Sequence, residues 1–289
     1  MKKTILSLFL SITLISMLGC GKGGEKPAEQ GVASGSNTIT IKGSDTMVQL
    51  GQRWAESYMG SHKDITLQVT GGGSGTGISA LINGTTDICM ASRPMKGKEK
   101  EQMLAKYKTA GVEVTVARDG LTVYLNEKNP VKELTMEQIK KIYLGEIKNW
   151  KEVGGKDAPI ILYGRENSSG TYVFFKEHVL ENKDYAQTMQ TLPGTAAVVN
   201  AVTKDVTGIG YGGAGYAKGI KECAVKKDAS SPALLPVKEN IDNNSYALSR
   251  GLYLYLKGTP EGNVKSFIDW VLSPAGQEVV TKEGFFAAK

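Results

Sequence analysis

The run Arg165-Glu166-Asn167-Ser168-Ser169-Gly170-Thr171 lies between two segments of different periodicity. Before it, Ile160-Ile161-Leu162-Tyr163 is a short apolar run of strand length. After it, Tyr172 to Leu180 has helical length and spacing. A guanidinium, several hydroxyls and a glycine therefore stand where a strand turns into a helix. Ser169 is placed as the N-cap. The open N–H groups of the first helical turn carry partial positive charge. Backbone N–H, hydroxyl and guanidinium together would hold an anion. Taken alone, the seven residues fit an ordinary capped helix equally well.

Outward from this turn, strands and helices alternate. Thr38–Lys42 reads as a strand, Ser44-Asp45-Thr46 as a turn with an N-cap, and Met47–Met59 as a helix with one buried face. Ile65–Val69 is a strand, Gly71–Gly77 a loop, Ile78–Ile82 a short helix and Asp87–Ala91 a strand running into Ser92-Arg93. Lys98–Tyr107 is helical and Val112–Val116 extended. The second region repeats the style. Strands are expected at Leu121–Leu125 and Gly208–Tyr211, with helices from the capping box Thr135-Met136-Glu137-Gln138 and over Thr195–Thr203. Strand Leu252–Leu256 precedes helices Gly262–Leu272 and Pro274–Glu283. The alternation predicts an α/β fold with largely parallel sheets. A chain of 289 residues exceeds the size at which one core stops growing, so two lobes are expected. Gly120–Leu125 and Gly251–Leu256 share a Gly-Leu-start pattern and read either as paired crossings between lobes or as a compositional echo.

The first residues carry a different signal. Lys2-Lys3 forms a basic n-region and Ile5–Leu18 an apolar h-region, shorter than the ~20 residues of a spanning helix. Met17-Leu18-Gly19-Cys20 resembles a lipobox. That resemblance implies a signal peptide over 1–19, cleavage before Cys20 and diacylation of its sulfur; several acyl chains would anchor the chain stably. A plain secretory peptide cut elsewhere is the alternative. Residues 20–37 are rich in Gly, Ser and polar residues and read as a flexible tether. The remaining Cys89 and Cys223 are expected as free thiols, since two distant cysteines make no disulfide framework.

Composition is that of a globular protein, with 40% hydrophobic and 22% charged residues. The net charge of +6 suits an anionic ligand. No Lys/Arg block with interleaved aromatics marks a nucleic-acid surface. Several catalytic motifs fail on the letters. Gly72 and Gly77 have P-loop spacing, but Ile78 stands where Lys is needed. Thr76 occupies the third glycine of a dinucleotide fingerprint and the last glycine of a nucleophile elbow on Ser74. His62 and His178 are the two histidines, and neither makes a triad or a metal cluster. No cofactor, metal or catalytic role is therefore expected.

Lys42-Gly43-Ser44-Asp45-Thr46, Gly72-Gly73-Ser74-Gly75-Thr76-Gly77, Ala91-Ser92-Arg93, Arg165 to Thr171, Gly208-Ile209-Gly210-Tyr211 and Phe267-Ile268-Asp269-Trp270 occur in a telling order and spacing. From about Thr38 to the C-terminus, the chain resembles the phosphate-binding proteins of bacterial high-affinity phosphate ABC transporters. The resemblance implies a two-lobed periplasmic-binding-protein fold of type II. Each lobe would hold a mostly parallel sheet flanked by helices, and two crossing strands would join them. Lobe 1 would span 38–118 and 248–289, and lobe 2 119–247. It implies capture of inorganic phosphate in the interlobe cleft by an exported monomer, a periplasmic or cell-surface lipoprotein. The phosphate would pass to permease subunits driven by a cytoplasmic ATPase.

Carried over by position, Thr46, Ser74 and Ser92 would supply hydroxyls and Met47 a backbone N–H. Arg165 would supply charge, and Ser169, Gly170 and Thr171 the helix N-terminal shell. Two departures stand out. In one branch of that family the position of Arg93 is an Asp that accepts the phosphate proton, which rejects fully ionised sulfate. The position of Asn167 is there an acidic partner for the arginine. The site of this chain thus reads as more cationic, with Asp45 as acceptor, as partner of Arg93, or as a mere helix cap. Sulfate, molybdate or tungstate is the alternative ligand, and an exported phosphoryl or ester hydrolase the distant one.

Overall fold

A computed structural model describes residues 37–288. The expected signal peptide, Cys20 and the tether up to residue 36 lie outside the described residues. The first half runs β1 (Thr38–Gly43), α1 (Val48–Ser61), β2 (Thr66–Thr70), α2 (Ser74–Asn83), β3 (Ile88–Ala91), α3 (Gly97–Tyr107) and β4 (Val112–Leu125). Then come β5 (Glu133–Thr135), α4 (Met136–Tyr143), β6 (Ile161–Arg165), α5 (Gly170–His178), β7 (Gln190–Leu192), α6 (Gly194–Lys204) and β8 (Gly208–Gly213). The chain closes with β9 (Lys221–Lys226), β10 (Ala233–Leu234), α7 (Lys238–Asp242), β11 (Ser249–Leu256), α8 (Gly262–Leu272), α9 (Pro274–Lys282) and β12 (Phe286–Ala287).

In the first lobe β1 lies between β2 and β3, parallel to both. Helices cover both faces of this sheet. On one face Leu50, Trp54 and Tyr58 of α1 pack with Phe267 and Val271 of α8. The Trp54 Nε1–H donates to the Gly276 carbonyl of α9 at 2.9 Å, which satisfies the one polar atom of a buried indole. On the other face Ile78 and Leu81 of α2 meet Met103 of α3. In the second lobe β6 runs parallel to β7 and β8. Ile142, Tyr143 and Phe175 fill one side, and Val198 and Val202 of α6 the other. Cys89 and Cys223 are buried free thiols in these cores. Burial pushes the Cys223 thiol up to about 12 and the Cys89 thiol further, so both behave as small apolar side chains.

The crossing between lobes is antiparallel, so the sheets are mixed rather than largely parallel. β4 pairs with β11 from Val112 to Gly120, then with β8 over Leu121–Leu125 and with β9 over Val123–Leu125. The two strands expected at Val112–Val116 and Leu121–Leu125 are thus one 14-residue strand. Asp119-Gly120 resembles a turn but continues the strand, because Asp119 is directly opposite Arg250. Arg250 donates to Asp119 from Nε at 2.9 Å and from Nη2 at 2.7 Å. Both side chains are sealed from solvent, at 2% and 0% exposure.

The turn after β2 differs from the expected loop. Helix α2 starts at Ser74, so the expected Gly71–Gly77 loop is half helical. Gly77 is what permits this: a Cβ there would run into the Lys42 carbonyl and Gly43 of β1. The capping box at Thr135 and Gln138 forms as read, and both helices near the C-terminus fall where expected.

Removing one member of a buried ion pair leaves the other charge without a partner. Asp119→Ala is expected to lower the unfolding free energy by roughly 3–5 kcal/mol, read from the urea midpoint.

Candidate functional site

Turns at the carboxyl ends of β1, β3 and β6, and at the start of α2, bring their side chains together, as ligand sites in open α/β sheets require. After β1, Ser44 Oγ donates to Ser92 Oγ at 3.0 Å. Ser92, after β3, donates its backbone N–H to Ser74 Oγ at 3.0 Å, and the two hydroxyl oxygens lie 3.4 Å apart. From the other lobe, α5 opens against this group. Ser169 Oγ caps it by accepting from the Thr171 and Tyr172 N–H groups, each at 3.2 Å. Thr171 Oγ1 lies 2.9 Å from Thr46 Oγ1 across the cleft. Gly170 faces Ser74 and Ser92 so closely that a Cβ would overlap both hydroxyls. The Gly75 N–H donates to the Ser168 carbonyl at 2.9 Å, a further bond from lobe to lobe. Gly73 approaches the same carbonyl with φ +94°, a conformation natural only to glycine.

Met47 stands at the N-cap of α1, directly after Thr46. Its N–H donates to the Ser44 carbonyl at 2.9 Å, closing the turn before α1. Thr46, Ser74, Ser92, Arg165, Ser169, Gly170 and Thr171 do come together.

Arg165 is 1% exposed and every nitrogen is engaged. Nε and Nη2 donate to Glu166 at 3.2 and 3.0 Å. Nη1 donates to Thr195 Oγ1 at 2.9 Å and Nη2 to Asp45 Oδ2 at 2.7 Å. The other Asp45 oxygen accepts from the Gly72 N–H at 2.8 Å, and the Asp45 carbonyl accepts from the Tyr216 hydroxyl at 2.8 Å. Burial pushes the Tyr216 phenol up to about 12, so it stays a donor. Burial opposes the charge on Glu166, but the hydrogen bond and attraction of Arg165 outweigh it and hold its carboxyl below the usual range.

These contacts correct three expectations. Asp45 partners Arg165, not Arg93. Nor does it cap α1, whose N-cap is Met47 with no side-chain bond. Arg93 instead gives Nη1 and Nη2 to Glu99, at 2.8 and 2.7 Å. Burial raises the Glu99 carboxyl, yet the Arg93 bonds win and keep it ionised below the usual range. The expected excess of positive charge is therefore absent: both arginines are matched by carboxylates of this chain. The acidic partner of Arg165 sits at Glu166, one residue before Asn167, with Asp45 as a second.

Thr195 was not expected in the site. It opens α6 just after Pro193-Gly194, the same hydroxyl-beside-glycine signature that marked the other turns. Among the described residues no group of His, Cys, Asp and Glu forms a metal cluster.

A family model described as a PBP superfamily domain matches residues 28–275. The phosphate-binding protein PstS of Pseudomonas aeruginosa is 33% identical, with 90% of this chain and 85% of that protein covered. PstS of Staphylococcus aureus is 35% identical, with 95% and 84% covered. The chain belongs to the PstS phosphate-binding protein family. Solved structures agree with that membership. A Clostridium perfringens structure described as a phosphate ABC transporter substrate-binding protein with bound phosphate is similar at a TM-score of 0.80 and 33% identity. It covers 87% of this chain and 100% of that one. An ABC-type phosphate transport receptor from Vibrio cholerae matches at 0.70 and 30% identity, over 86% and 100% of the two chains. The family's two-lobed α/β fold is the one described above. Among the described residues no helix is long and apolar enough to cross a membrane.

Glu99 and Glu166 hold protons more weakly folded than unfolded. The stability they lend is therefore complete above the ordinary Glu range, about 4.3, and is lost as pH falls through their lower folded values. Glu99→Gln should flatten this acid slope of the urea midpoint between about pH 5 and 3; an unaltered slope would refute the pairing.

Proposed function

We propose that this chain captures inorganic phosphate in the cleft between its lobes and delivers it to the permease of an ABC transporter. The observation that carries the reading is the convergence of donors from both lobes at Thr46–Thr171 and at Gly170 against Ser74 and Ser92. Thr46, Ser74, Ser92, Ser169 and Thr171 offer hydroxyls, Gly170 its N–H at the start of α5, and Arg165 the charge. Bonds from a charged anion to such donors are strong once water is excluded. The Met47 N–H, at the turn before α1, is the further backbone donor of this reading. The role is binding and release, without catalysis.

The lobes are assigned as 38–118 with 248–289, and 119–247, so that the chain crosses within β4 and returns just before β11. Closure of one lobe on the other gives the permease and its cytoplasmic ATPase a shape to recognise. The protein acts outside the cytoplasm as a monomer, held to a membrane by acyl chains on Cys20. Incorporation of labelled palmitate that disappears in Cys20→Ala tests the anchor; label retained in that variant would place the attachment elsewhere.

Calorimetry of the purified, ligand-stripped protein tests the ligand. Phosphate is expected to bind and sulfate to compete poorly. Tight sulfate binding with no phosphate heat would replace the assignment with another tetrahedral oxyanion. Gly170→Ala separates binding from folding. Gly170 opens α5 rather than lying inside it, so alanine gains less there than the roughly 1 kcal/mol of a helix interior, and its methyl meets the Ser74 and Ser92 hydroxyls. The melting temperature should hold or fall slightly as the two lobes are kept from meeting, while phosphate affinity falls by about tenfold or more.

A further inference from the structure

We propose that Arg93 is itself an anion-binding residue, contributing its Nε–H to the wall of the cleft made by Ser74 and Ser92. The inference rests on the phosphate reading above and extends it to a residue whose charge is already matched within the chain.

Arg93 is 5% exposed. Its two Nη atoms are gripped end-on by Glu99, and Nη1 also donates to the Pro94 carbonyl at 2.8 Å. Its Nε is buried and has no hydrogen-bond partner. A buried guanidinium N–H without an acceptor is costly and uncommon in a folded protein. The surroundings explain which acceptor would satisfy it. Arg93 directly follows Ser92, whose hydroxyl sits with those of Ser44 and Ser74. Its Nη2 lies 3.8 Å from where a Cβ on Gly75 would stand, and Gly75 bonds across the cleft to Ser168. The edge left over by Glu99, Nε with the second Nη2 hydrogen, is one a guanidinium uses for two-point contact with an oxyanion.

Four carboxylates around the site are committed to arginines of the chain. Asp45 and Glu166 bond Arg165, Glu99 bonds Arg93, and Asp119 bonds Arg250. Glu99 therefore has a specific task. It fixes the guanidinium head from behind and neutralises its charge, so that Arg93 offers a directed hydrogen bond rather than a mobile cation.

Nuclear magnetic resonance of the intact protein labelled with ¹⁵N-arginine tests this, with inorganic phosphate as the probe. The Arg93 Nε–H resonance is identified by its loss in Arg93→Lys. On adding phosphate it should move downfield and exchange more slowly with water, together with the Gly170 and Thr171 amides. Arg93→Lys, which keeps the charge but not the Nε–H, should bind phosphate about tenfold to a hundredfold more weakly. If the Gly170 and Thr171 amides respond while the Arg93 signal stays still and Arg93→Lys binds normally, Arg93 is structural and the inference fails alone. If no cleft amide responds, the phosphate reading fails and takes the inference with it.

Discussion

A guanidinium buried as deeply as Arg165 requires counter-charges and acceptors around its whole edge. Glu166 holds it from the same turn, Thr195 from a neighbouring helix start, and Asp45 from the opposite lobe. Asp45 is itself fixed by the Gly72 N–H and, through its carbonyl, by the Tyr216 hydroxyl. One side chain thus ties the turn after β1 to the turn after β6. The hydroxyls beside it, Thr46 and Thr171, stand at hydrogen-bond distance because these turns are held face to face.

Behind the cleft, the Asp119–Arg250 pair supports the same arrangement from the crossing strands. Arg250 Nη1 reaches the Ser92 carbonyl at 3.4 Å, and its guanidinium lies 5.4 Å from the centre of the Phe174 ring on α5. Asp119 in turn accepts from the Ala214 N–H at the end of β8. The pair therefore touches both halves of the cleft and both strands that join them. The remaining constraint is steric. Gly73, Gly75 and Gly170 leave room for backbone and hydroxyls of the two lobes to approach, where any side chain would hold them apart.

Much of this was legible residue by residue. The Thr135–Gln138 capping box and the Ser169 cap involve groups two or three residues apart, so sequence contains both partners. The hydroxyl-and-glycine turns marked the site residues as a set, and Thr195 carries the same mark. The two echoing strands are preceded by opposite charges, Asp119-Gly120-Leu121 and Arg250-Gly251-Leu252, and those charges meet. The two echoing segments are not in register with each other: Gly120 is opposite Ser249, and Gly251 opposite Arg118.

By itself the sequence determined the alternation of strands and helices, the family, and the residue types of an anion cleft. Each depends on short-range periodicity, caps and motifs. Only the tertiary structure decided how charge is distributed. Arg165 lies 120 residues from Asp45, and Thr46 lies 125 from Thr171. An ion pair is set by distance in space, so composition could count Arg93 as surplus charge while Glu99 already balanced it. Folding turned a site that read as cationic into one of matched charges and directed donors.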